Sequence, residues 1–159
     1  MIRWLALSAL VVFLDQLSKF AVTRALAYGE RIEITPFFNL LLVHNRGAAF
    51  SFLAGASGWQ RELFIGIAVV ASAWIVYLLR KYPRQTLFCF ALSLILGGAI
   101  GNVIDRIMLD AVVDFLDFHA FGWHWPAFNV ADSAITCGAI LLVWESVRPA
   151  AGRVAQSEN

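Results

Sequence analysis

Charge is what this sequence has least of. Lys, Arg, Asp and Glu make up 14% of its 159 residues, where a soluble domain carries about 25%. With 60% hydrophobic residues and a mean hydropathy of +0.73, a water-soluble domain is excluded. The formal net charge of +1 gives no reason to expect a nucleic-acid partner. Cysteine is scarce as well. Cys89 and Cys137 both fall inside apolar runs at different depths, so two separate buried thiols are expected rather than a disulfide. No HExxH and no Cys/His cluster at zinc spacing occurs, which argues against metal-dependent hydrolysis and leaves no implied cofactor. Internal repeats are absent.

Long apolar stretches separated by short charged loops take the place of that missing charge. Four spans of about 20 residues are expected, at approximately 2–26, 62–80, 86–106 and 129–147, within one membrane domain covering 1–159. The first span opens like a signal peptide, but the stretch from Asp15 to Tyr28 is too long and too charged to precede a cleavage site, so a retained helix is expected. Residues 28–57 differ. Glu30-Arg31-Ile32-Glu33-Ile34 alternates polar and apolar like a strand, Phe38 to Val43 is a second strand-like run, and His44-Asn45-Arg46-Gly47 reads as a turn. The expected fold is all-α and integral to the membrane, with four transmembrane helices and a small extracytoplasmic β-rich segment. Arg3, Arg80, Lys81, Arg84, Arg148 and Arg153 gather on one side, and this bias puts both termini in the cytoplasm. The tail after Arg148 reads as disordered.

Two acidic motifs stand in otherwise apolar surroundings, Val112-Val113-Asp114-Phe115 and Phe128-Asn129-Val130-Ala131-Asp132-Ser133. A carboxylate in such a setting must be paired, protonated, wet or functional. Two of them, at the outer ends of spans, suggest a carboxylate dyad at a membrane surface. Each also has a plainer reading. Asp132 falls at the N3 position of a helix capped by Asn129, where a negative charge favours the dipole. Asp114 reads equally as a solvated loop acid like Asp110 and Asp117. Asp15 and Lys19, at i and i+4 inside the first span, read as a self-neutralising pair, although intramembrane charge also points to function. Gly97 and Gly101 have GxxxG spacing suited to close helix approach. Asn102, Asp105 and Arg106 form a polar face where an arginine could hold a carboxylate or stay solvated.

Other catalytic signals are weak. Gly55-Ala56-Ser57-Gly58 matches the motif of intramembrane serine proteases, but His44, His119 and His124 all fall in predicted loops. Ser18 and Lys19, adjacent on a helix, point apart.

Five ordered blocks resemble the bacterial lipoprotein signal peptidase (signal peptidase II) family. They are Asp15-Gln16-Leu17-Ser18-Lys19; Asn45-Arg46-Gly47-Ala48-Ala49-Phe50-Ser51; Gly97-Gly98-Ala99-Ile100-Gly101-Asn102-Val103-Ile104-Asp105-Arg106; and the two acidic motifs. The resemblance implies a four-helix inner-membrane aspartyl endopeptidase with Asp114 and Asp132 as its catalytic pair. Asn45, Gly47, Gly98, Asn102, Arg106 and Asn129 match positions used around the site, and Asp15 and Lys19 match supporting positions. It further implies prolipoproteins bearing a diacylglyceryl-modified cysteine as substrates, contact with membrane lipid, globomycin-type inhibitors, and no cofactor; a monomer is expected. The competing readings are a small four-span proton-coupled transporter using Asp15, which Lys19 would neutralise, and a structural membrane protein.

Overall fold

A computed structural model of the chain describes residues 1–47 and 58–147. The 48–51 part of the second motif, the first three residues of Gly55-Ala56-Ser57-Gly58 and the tail from Arg148 lie outside the described residues. Among the described residues, four helices are long and apolar enough to cross a membrane: α1 (Ile2–Ala25), α2 (Trp59–Lys81), α3 (Thr86–Leu109) and α4 (Val130–Val147). Their bounds follow the hydropathy blocks to within a few residues. A four-stranded antiparallel sheet completes the fold, with β1 (Arg31–Thr35), β2 (Phe38–Asn45), β3 (Val112–Ala120) and β4 (Trp123–His124) in the order β1-β2-β3-β4.

Helix α3 is the centre of the bundle, because small residues let its neighbours come close. A Cβ added at Gly97 would stand 2.6 Å from the Val11 Cβ of α1, and one at Gly138 would stand 2.6 Å from the Ile95 Cγ1 of α3. At Gly98 the added atom would run into the Ala131 carbonyl oxygen, with Ile135 Cγ1 at 2.7 Å. Helix packing through small residues is how membrane helices gain close van der Waals contact without a hydrophobic drive. Gly98→Ala therefore has to push the N-terminal turn of α4 away from α3. Overpacking of this kind costs about 1–3 kcal/mol, and a lowered melting temperature in detergent is the expected result. An unchanged melt would mean that the two helices are not held at this distance.

Two apolar clusters hold the ends of the bundle. Trp4, Ile75, Leu79, Cys89, Leu92 and Leu96 pack at the end carrying Arg80 and Lys81. Val22 of α1 and Leu26 just after it pack at the other end on Leu42, Val113 and Phe115 of the sheet. The sheet is thus bolted to the ends of the spans.

The stretch around Asp114 is a strand, not the loop expected. After α3, Asp110 takes a left-handed conformation (φ 58°) that turns the chain back into β3. The free edge of β2 then pairs with Val112–Ala120, from Asn45↔Val112 to Phe38↔Phe118. The register shifts between Leu40 and Val43, beside the residue that opposes Asp114. Bulges of this kind re-aim side chains next to functional sites. The three histidines also lie on strands, His44 on β2, His119 on β3 and His124 on β4, rather than in loops. Cys137 is exposed on α4 instead of buried, while Cys89 is buried, and both are free.

Candidate active site

The two acidic motifs meet where α4 starts and β3 passes over the end of the bundle. Asp114 is 2% exposed, which corrects its reading as a solvated loop acid. Asp132 sits in the first turn of α4 and is half-buried. Asn129 caps that helix as the motif suggested, its Oδ1 accepting the Asp132 backbone N–H at 2.9 Å.

Three asparagine amides hold the acids, and in each case a neighbour dictates which way the amide faces. A backbone N–H and an ammonium can only donate, so the amide atom facing either must be oxygen. Asn129 Oδ1 faces the Asp132 N–H, which turns its Nδ2 to Asp114 Oδ1 at 2.8 Å. Asn45 Oδ1 accepts the Gly47 N–H at 2.9 Å, which turns its Nδ2 to Asp114 Oδ2 at 3.1 Å. Asn102 Oδ1 accepts from Lys19 Nζ at 3.1 Å, and its Nδ2 reaches Asp132 Oδ1 at 2.8 Å. Asn129 Nδ2 also contacts Asn102 Oδ1 at 3.3 Å. One network therefore joins both carboxylates.

Burial raises the Asp114 carboxyl to about 7, and the nearby charge of Asp132 pushes the same way. Hydrogen bonds from Asn45 and Asn129 and the Lys19 cation oppose the rise without cancelling it. A carboxyl raised this far beside a second acid is the condition in which two acids share one proton and titrate as a pair.

Lys19 does more than neutralise Asp15. Its ammonium, 3% exposed, lies 2.8 Å from Asp15 Oδ2 on its own helix and 2.8 Å from Asp105 Oδ2 on α3. Arg106 donates to the Gly47 carbonyl at 3.0 Å and lies over the Phe64 ring at 5.1 Å. Gly98 lies against Ala131, the residue before Asp132, where a Cβ would meet its carbonyl.

The chain matches the family described as Signal peptidase (SPase) II over residues 7–148. It belongs to that family. A lipoprotein signal peptidase of Janthinobacterium sp. (strain Marseille) is 56% identical over 148 residues, covering 93% of this chain and 90% of the relative. One from Ralstonia nicotianae is 59% identical over 145 residues, covering 91% and 84%. A bacterial membrane enzyme solved by the in meso method at 2.3 Å superposes with a TM-score of 0.82 at 32% identity, covering 92% of this chain and 88% of that one. The family and the four apolar helices make this chain a multi-pass membrane peptidase.

Two site features escaped the sequence reading. Asp105, noticed only as part of a polar face, is buried and is the second anion on Lys19. Gln16 lies within one of the family blocks without an assigned part, yet its Nε2 donates to Asp105 Oδ1 at 2.9 Å. Their signal was position: each lies one residue or one helical turn from a residue already singled out. Asp117 was misread. It is 2% exposed and takes hydrogen bonds from Asn39 at 2.8 Å and His124 at 2.8 Å. Burial tends to raise its carboxyl, but those two bonds and the His124 and Arg31 charges hold it below the usual range.

Proposed function

We propose that the chain is an aspartic endopeptidase of the bacterial inner membrane, with Asp114 and Asp132 as its catalytic dyad. It removes signal peptides from prolipoproteins on the amino side of a diacylglyceryl-modified cysteine. The observation that carries this reading is the asparagine network joining two acids, one of them raised to about 7 by burial and the charge of the other. In the proposed reaction the ionised member takes a proton from water as the oxygen attacks the scissile carbonyl. The protonated member donates to the carbonyl oxygen, and a proton then passes to the leaving amine as the C–N bond breaks. Neither a covalent intermediate nor a cofactor is needed.

The dyad lies at the sheet end of the bundle, opposite Arg80 and Lys81. The positive-inside rule puts that basic end and both termini in the cytoplasm and the acids at the outer face. There the lipid of the substrate stays in the bilayer while its scissile bond meets water. Asn45, Gly47 and Arg106 surround the approach to Asp114, and globomycin-type inhibitors would occupy the same ground. The enzyme is expected to work as a monomer. A transporter using Asp15 is disfavoured, since that carboxylate is closed off by Lys19 and the Ala131 N–H.

Incubating the purified protein with a lipidated precursor in detergent tests the reading. Mass spectrometry should find a new amino terminus at the lipid-bearing cysteine, and strong chelation should leave the rate unchanged. Abolition by chelation with recovery on adding zinc would overturn the dyad mechanism.

A further inference from the structure

The Asp15–Lys19–Asp105 cluster is buried beneath the dyad, and the mechanism above does not use it. Its contacts are paired in an unexpected way. Asp15 Oδ1 accepts the backbone N–H of Ala131 at 2.9 Å, the residue immediately before Asp132. Asp105 Oδ2 accepts the backbone N–H of Val113 at 3.0 Å, the residue immediately before Asp114. Lys19 binds both carboxylates at 2.8 Å and spends its third hydrogen on Asn102 Oδ1 at 3.1 Å. That last bond fixes the sense of the Asn102 amide and presents its N–H to Asp132.

We propose that this cluster is a positioning device that sets the spacing of the dyad, with Asp15 holding the Asp132 backbone, Asp105 holding the Asp114 backbone, and Lys19 tying the two together. The proposal rests on the dyad reading and extends it to Asp105. Three helices and a strand meet at one cation, so α4 and β3 cannot drift apart without breaking a charge-assisted bond. None of the three touches substrate in this account; they act through Ala131, Val113 and Asn102.

The carboxylates serve as acceptors for backbone N–H groups, and an amide oxygen can replace them. Asp105→Ala should therefore lower kcat on the order of 10²-fold, the size expected for an ångström-scale misplacement, with KM changed less than about twofold. Asp105→Asn should recover most of that loss. The second variant, Lys19→Met with Asp105→Asn, keeps both acceptors and the local net charge while removing the cation. It should lose kcat with KM little changed, because the tie between the two acceptors and the bond that orients Asn102 are both gone. Equal activity of Asp105→Ala and Asp105→Asn, a proportionate change in KM, or full kcat in the second variant would overturn the proposal. The dyad reading fails by a different result, activity in Asp114→Asn or Asp132→Asn.

Discussion

Replacing Asp132 by Asn should abolish turnover while leaving membrane insertion and folding intact. The amide can still present its oxygen to Asn102 Nδ2, so the local hydrogen bond survives. What it cannot do is take a proton from water or share one with Asp114. Asp114→Asn should be equally inactive, with a larger effect on stability. Both oxygens of Asp114 accept from amide nitrogens, those of Asn129 and Asn45, and an Asn would turn its own NH2 against one of them. A lost buried acceptor of this kind costs about 1–3 kcal/mol, which a melting curve would register. Acid–base groups contribute about 10²–10⁴-fold each, but the pair acts as one unit. The double variant should consequently be little slower than either single one. If Asp132 served only the dipole of α4, Asn would cost a few tenths to about 1 kcal/mol and activity would persist. Asp110→Asn is the appropriate control, since that side chain is exposed and paired with Arg61 away from the network. Asp117→Asn is not a suitable control, because Asp117 is buried against Asn39 and His124.

Asp15→Asn should cost stability rather than chemistry. The amide oxygen can keep the bond to the Ala131 N–H, but its NH2 then faces the Lys19 ammonium, donor against donor. Stranding a buried charge costs about 3–5 kcal/mol; the lower end is expected here because Asp105 stays on Lys19. Thermal unfolding in detergent should shift clearly downward, with turnover per folded molecule within a few-fold of the parent. A protein that melts normally yet turns nothing over would instead place Asp15 among the reacting groups.

The spans were legible because their signal is local: uninterrupted apolar length needs no partner to be recognised. The two acidic motifs were legible for a related reason, the cost of carboxylates among apolar neighbours. What could not be read locally was pairing. Residues 112–120 carry three charged or titratable side chains among apolar ones, and only the open edge of β2 makes a strand of them. Asp117 looked solvated because Asn39, its partner, is 78 positions away. Lys19 looked satisfied by Asp15 because the helical i+4 relation is visible in sequence, whereas Asp105 reaches it only through the packing of α1 on α3. Cys137 was misplaced for the same reason. Hydropathy identifies a span without telling which of its faces meets the neighbouring helices.

The dependence of kcat/KM on pH, measured on a lipidated precursor with the purified protein, tests the shared-proton dyad most directly. The pair must keep one proton for the reaction, and burial beside Asp132 raises the Asp114 carboxyl to about 7. The account predicts a bell whose alkaline limb falls from near pH 7, reported by the pair as a unit. A rate that continued to climb through pH 8 and 9, as for a single base or a hydroxide nucleophile, would contradict it.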